Sequence, residues 1–190
     1  MRGEASEQIQ ISLNMILMYN ESHKSVIVVV SKMELVLAYD RLDEVIQLFK
    51  EYTGMIMSQS DEVREVLKSQ HFENELADIN KKYGFPSGRL YIAADYDRVA
   101  GCAGLTRNDD SYCEIKRLYV RPEYRGQHIS RLFMDQIIAD AKDIGYKYMR
   151  LDTFPFMSTA INLYEKYGFY YVEKYNDNPA HNAVFMQLNL

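Results

Sequence analysis

The chain has 190 residues, 47% hydrophobic and 26% charged, enough for one domain, or one domain plus an appendage, with a useful core. A net charge of -5 and a pI of about 5.4 give no overall basic field, which argues against nucleic acid and anionic membrane as partners. Two cysteines are too few for a disulfide framework, no apolar run approaches the roughly 20 residues of a membrane helix, and Glu4 and Glu7 after Arg2 do not suit a signal peptide, so a reduced, cytoplasmic setting is expected.

Residues 1–32 look unlike the rest. Ile9, Ile11 and Leu13 alternate, but Ile16, Leu17 and Met18 cluster, so neither the helix nor the strand period wins. Val26 to Val30 reads as a strand that would be sticky if uncovered. This segment is expected to be an N-terminal extension: an added arm, a homodimer contact, or a stretch ahead of a start near Met33. Residues 33–190 are expected to form the domain.

From Glu34 the pattern is regular. Leu35 to Tyr39 reads as a strand, and Asp40 can cap a helix whose Leu42, Val45, Ile46 and Phe49 form one apolar face. A polar helical stretch from Asp61 to Lys82 stops at Gly84-Phe85-Pro86. Leu90 to Ala94, Val99 to Thr106 and Tyr112 to Val120 are three strands with short turns, hence antiparallel. Ile129, Leu132, Phe133, Ile137, Ala141 and Ile144 mark an amphipathic helix ended by Gly145. Tyr148 to Thr153 is a strand, Ser158 to Tyr167 a short helix stopped by Gly168, and Phe169 to Val172 and Ala183 to Leu190 are closing strands. The strands flanking the long helix should be parallel through a right-handed crossover. The fold class is therefore α/β: a mixed central sheet with helices on both faces.

The stretch Val120-Arg121-Pro122-Glu123-Tyr124-Arg125-Gly126-Gln127-His128-Ile129-Ser130 runs from a strand end through a glycine turn into a helix N-terminus. Such a turn aims unpaired backbone N–H groups along the positive end of the helix dipole, a site for phosphate oxygens. Arg125 and Arg131 add cationic donors suited to a pyrophosphate. No Gly-Lys-Ser/Thr follows the glycine, and the Gly-x-Gly-x-x-Gly pattern is absent. Read by itself, the loop is equally an ordinary strand-to-helix turn with solvated arginines.

Glu114-Ile115-Lys116-Arg117-Leu118-Tyr119-Val120 followed by this loop resembles the acetyl-CoA site of the GNAT N-acetyltransferase superfamily, whose loop reads Gln/Arg-x-x-Gly-x-Gly/Ala. Arg125 fills the first position; His128 and Ser130 stand where glycine, and glycine or alanine, are usual. Both keep the backbone N–H that a phosphate needs. A left-handed backbone at residue 128 would cost a non-glycine roughly 1–2 kcal/mol. Ala160-Ile161-Asn162-Leu163-Tyr164-Glu165-Lys166-Tyr167-Gly168-Phe169 resembles the family's Ala-x-x-Leu-Tyr-x-x-x-Gly-Phe helix. The likeness covers roughly residues 34–190.

The resemblance implies the GNAT acyl-CoA N-acyltransferase fold and an acetyl-CoA-dependent N-acetyltransferase, with acetyl-CoA as co-substrate, no metal, and a small-molecule or peptide amine as acceptor. Cofactor contacts are expected from Leu118, Tyr119, Val120, Arg125, Gly126, Gln127, His128, Ile129, Ser130, Arg131, Asn162 and Tyr164. Leu118 would offer its amide to the thioester oxygen, and Val120 would pair with the pantetheine arm like an added strand. Glu114, eleven residues before Arg125, is the expected base for the amine, and Tyr164 the expected acid for the leaving thiol. The bland alternatives are an ion-paired strand glutamate and a core tyrosine, one of 16 in the chain. Asp152 could attract the acceptor's charge or cap a turn; Tyr112, Arg117 and Phe154 to Met157 are further pocket candidates. Cys113 is a core residue by this reading, since no histidine is placed to activate it. The rival function is a non-catalytic acyl-CoA sensor.

Overall fold

The structure is a computed structural model that describes residues 9–20, 25–59, 72–95, 98–178 and 180–190. β1 (Ile9–Asn20) and β2 (Ser25–Leu37) form an antiparallel hairpin. β2 then enters the main sheet, where Glu34–Leu37 pair with β3 (Arg89–Asp95). The boundary expected between residues 32 and 33 therefore falls inside a continuous strand. Residues 1–8 and 21–24 lie outside the described part.

β3, β4 (Arg98–Arg107) and β5 (Tyr112–Val120) are antiparallel neighbours, and β5 pairs parallel with β6 (Tyr148–Thr153), as the crossover requires. β8 (Val184–Asn189) lies between β6 and the short β7 (Tyr170–Tyr171). The eight strands among the described residues form one mixed sheet. β7 is shorter than the Phe169–Val172 stretch that reads as a strand.

Helices cover both faces. α1 (Leu42–Met57) presents Val45, Leu48 and Phe49 to Leu90, Ile92 and Cys102 of the sheet, together with Ile79 and Tyr83 of α3 (Ile79–Tyr83). On the opposite face α4 (Ile129–Ile144) sets Ile129, Phe133 and Ile137 against Ala103, Leu105, Cys113 and Ile115. Neighbouring Cys102 and Ala103 serve opposite cores because successive strand side chains alternate. Both cysteines are buried and free. Gly104 is where Tyr83 crosses the strand: a Cβ there would lie 2.5 Å from its ring.

Two local readings change. The α1 N-cap is Arg41 rather than Asp40, and no side chain caps it. The polar helical stretch is broken: α2 (Phe72–Ala77) and α3 are separate, and Asp78 caps α3 by accepting from the Lys81 amide at 2.9 Å. Residues 60–71 of that stretch lie outside the described part. α5 (Ser158–Lys166) is the last α-helix among the described residues.

One feature of the sheet positions the site. β5 and β6 pair at Tyr112–Glu114 with Tyr148–Arg150, and no further ladder joins them among the described residues. β6 continues to Thr153 against β8, while β5 continues to Val120 against β4. The strands therefore part beyond Glu114. A bulge lies on the parting strand: Arg117 and Leu118 together face the single Ala103, between the pairs Gly104–Lys116 and Cys102–Tyr119. Arg117 is left-handed, with φ 58°. Such a bulge bends the strand and strengthens its twist.

Candidate active site

Two cavities open where the strands part. The first, about 530 Å³, is lined by the end of β5, the loop after it, the head of α4 and one side of α5. Leu118, Tyr119, Val120, Arg125, Gly126, His128, Ile129, Ser130, Arg131 and Asn162 are on its wall. Ten of the twelve residues expected around a cofactor are thus brought together. Gln127 is not among those lining the cavity, and Tyr164 lines the second cavity instead.

The loop has the geometry of an anion cradle. Gly126 adopts φ 79°, and a Cβ placed on it would meet nothing within 4 Å, so the space before it is open. The amides of Ile129 and Ser130 open the first turn of α4, where no carbonyl lies one turn back. The Arg131 amide is already bonded to the His128 carbonyl at 2.9 Å. α4 spans 16 residues, so its positive dipole end adds to these amides. His128 is the N-cap with φ 62° and ψ 13°, so it carries the left-handed strain of about 1–2 kcal/mol, and its side chain makes no capping bond. Arg125 folds back across β5: its Nε donates to the Val120 carbonyl at 3.1 Å. These groups fit a diphosphate with an extended arm lying along β5, the cofactor shape that the sequence suggested.

The second cavity, about 300 Å³, is polar and charged. Tyr52, Leu118 and Met157 line both cavities, so the two adjoin there. On one side Glu75 binds Arg117 through both oxygens, at 3.0 and 3.1 Å. It also accepts from Lys82 at 2.8 Å and from the Tyr83 hydroxyl at 2.7 Å. Burial opposes ionisation of Glu75, but Arg117 and Lys82 overcome it and bring the pKa down to about 2. On the other side Lys116 bonds Glu114 at 2.7 Å and reaches Asp152 at 3.5 Å. Burial would raise the Asp152 pKa, yet Lys116 and the amides of Asn178 and Asn176 hold it below its usual range.

Tyr164 lines this second cavity, and burial, then Tyr52 and Asp152, push its hydroxyl pKa above the ordinary tyrosine value. A neutral, buried phenol beside the junction of the cavities can donate a proton. Glu114 is placed differently from expectation. Its side chain is 6% exposed, is held by Lys116 and by the Tyr175 hydroxyl at 2.9 Å, and is not among the residues lining either cavity. The reason is strand periodicity: Glu114 and Lys116 share one face of β5, and the longer lysine folds back over the glutamate. The carboxylates on the wall are Glu75, Asp152 and Asp177.

Of the other pocket candidates, Arg117, Phe154 and Met157 line the second cavity and Phe156 the first. Tyr112 instead stacks on Tyr148, with centroids 4.7 Å apart. Sequence reading missed Tyr52, Glu75, Lys82 and the asparagines. Asn176-Asp177-Asn178 did carry a turn signal, since Asn and Asp side chains bond nearby amides; here Asn176 accepts from the Asn178 amide at 3.1 Å. Glu75 and Lys82 carried none, being two charges in a polar helical stretch.

Comparison with known proteins agrees with this geometry. The acetyltransferase (GNAT) family profile matches residues 44–169. An uncharacterized N-acetyltransferase of Schizosaccharomyces pombe is 39% identical over 126 residues, 65% of this chain and 77% of its own length. A second, from Dictyostelium discoideum, is 29% identical over 83% of this chain and 98% of its own. A GNAT-family acetyltransferase structure from Staphylococcus aureus superposes with a TM-score of 0.66 over 83% of this chain and 98% of its own, at 19% identity. The PaiA N-acetyltransferase of Thermoplasma acidophilum, solved with coenzyme A, superposes with a TM-score of 0.64 over 83% of this chain and 99% of its own, at 17% identity. The fold, the shared profile and these relatives together establish that the chain belongs to the GNAT acetyltransferase family.

Proposed function

We propose that the chain moves an acetyl group directly from acetyl-CoA to a primary amine, with CoA in the first cavity and the acceptor in the second. The observation that carries this reading is the junction of the two cavities at Tyr52, Leu118 and Met157, where the strands part. The amides of Ile129 and Ser130, with Arg131, would hold the diphosphate. The edge of β5 beyond its ladder with β6 would take the arm as an added strand once Arg125 releases the Val120 carbonyl. Holding both reactants at one junction supplies much of the acceleration.

The acceptor arrives largely as an ammonium, which Asp152 attracts because its carboxyl stays ionised. Reaction uses the neutral fraction. The acceptor nitrogen bonds the acetyl carbon as the bond to sulfur breaks. Tyr164 gives its hydroxyl proton to the departing sulfur, and the nitrogen's surplus proton returns to Tyr164 by way of water. Protons and charge then balance: amine and thioester become amide and thiol. Glu114 acts through Lys116, setting that ammonium against Asp152, and is a positioning residue rather than the base that the family resemblance implied.

The test is release of CoA thiol across a primary-amine panel, with the acetylated product identified by mass. Turnover of a primary amine supports the reading. Glu114→Gln should change the pH dependence of kcat while leaving the KM for acetyl-CoA unchanged; an unaltered profile would remove its role. The covered position of Glu114 favours one rival, an acyl-CoA sensor without catalysis. Tight CoA binding with no turnover on any amine would select it.

A further inference from the structure

The second cavity separates its charges, and the separation bears on what it accepts. At one end Glu75 is the carboxylate partner of two cations, Arg117 and Lys82. Both its oxygens already serve Arg117, and the Tyr83 hydroxyl takes one of them as well. Among the described residues Lys82 has no other carboxylate within ion-pair distance. Its side chain is 33% exposed and lines the cavity. Desolvation, more than Glu75 can offset, pushes its pKa down, the condition of an ammonium short of counter-charge.

The other end is the inverse. One ammonium, Lys116, faces two carboxylates, Glu114 and Asp152. Asp177 adds a further carboxylate to the wall. The next cation, Arg150, is spent elsewhere: it stacks on Tyr112 and Tyr175, bonds Gln187 at 3.0 Å, and does not line this cavity. The two ends are close enough to interact, since Lys116 also lowers Lys82.

A ligand carrying only an ammonium would satisfy the acidic end and bring nothing to Lys82. A ligand carrying only an anion would do the reverse. We infer that the acceptor is a small amine bearing a carboxylate a few bonds from its nitrogen, an amino acid or close analogue, with its ammonium at Asp152 and Asp177 and its carboxylate at Lys82. A volume of about 300 Å³ lies at the small end for ligand pockets, which suits a molecule of that size. This inference rests on the N-acetyl transfer reading and adds the acceptor class to it.

The test compares three forms of each of several amino acids: the free acid, its methyl ester and its decarboxylated amine. Thiol release is followed with saturating acetyl-CoA, and rates are expressed per neutral amine. kcat/KM for the free acid should exceed that of the ester and the amine by tenfold or more. In Lys82→Gln the free-acid-to-ester ratio should shrink by about tenfold, as loss of a carboxylate's partner predicts, and Lys82→Arg should restore it. An unchanged KM for acetyl-CoA verifies that the variants are folded. Equal rates for acid, ester and amine, or a ratio untouched by Lys82→Gln, would overturn the inference while leaving N-acetyl transfer standing. No thiol release with any amine would overturn both.

Discussion

Replacing Glu75 with Gln tests what holds the bulge of β5. Arg117 sits at φ 58°, a left-handed conformation that costs a non-glycine residue about 1–2 kcal/mol. Its guanidinium is clamped by Glu75 through both oxygens and by the Thr53 hydroxyl at 3.1 Å. The two side chains are only 14% and 10% exposed, so solvent screens their attraction little. Gln has the same shape and no charge, much like protonated Glu75. With the folded pKa near 2 against about 4.5 for the free group, the ionised form contributes about 3 kcal/mol at pH 7. The sign follows from the depressed pKa. This stability is complete above about pH 4.5 and is lost as the pH falls toward 2. At pH 3 only about 1 kcal/mol should remain. Urea denaturation of the native chain and of Glu75→Gln at both pH values measures the difference. The gap should be about 3 kcal/mol at pH 7 and less than half of that at pH 3. A gap under 1 kcal/mol at pH 7, or one of equal size at both, would refute the electrostatic account of the bulge.

Tyr164→Phe removes the proposed proton donor while keeping a buried ring, and kcat should fall by roughly 100-fold or more with little change in the KM for acetyl-CoA; steady-state kinetics decide this. His128→Gly relieves left-handed strain at the head of α4 and should raise stability by about 0.5–1 kcal/mol once the greater unfolded freedom of glycine is subtracted, read by thermal melting. The pH profile of kcat/KM should rise about tenfold per unit below the acceptor's own amine pKa. Tyr164 should add no falling limb below pH 10, because burial raises it and so preserves its acid form, and in Lys82→Gln, where no Lys82 ammonium can be lost, the profile should show none. A decline between pH 7 and 9 in that variant would point to another proton donor.

How far the chain could be read without its structure depends on whether the information was local. The amphipathic period of Ile129 to Ile144, the turn signals around Gly126 and Gly145, and the crossover between β5 and β6 each lie within one continuous stretch. They were sufficient for a mixed sheet with helices on both faces and for the expectation of a phosphate-binding loop at the head of α4. The loop residues gather in one cavity for the same reason, because consecutive residues at a helix N-terminus cannot help being neighbours.

The second cavity was not legible, because its parts come from distant places. Glu75 and Lys82 from α2 and α3, Arg117 and Lys116 from β5, Asp152 from β6 and Asn178 from the segment before β8 meet only after the sheet is assembled. Glu114 shows the limit most directly. Spacing placed it on the correct strand, but Lys116 two residues on and Tyr175 some sixty residues on cover it, and Asp152 takes the exposed position. Strand alternation says which face a side chain leaves from; only packing decides what lies over it. The sequence by itself thus determined the fold class and the family and raised the expectation of a cofactor loop, all written in short-range patterns. The tertiary structure alone decided which charges stand opposite one another in the second cavity, because burial and ion pairing are set by contacts between residues far apart in the chain.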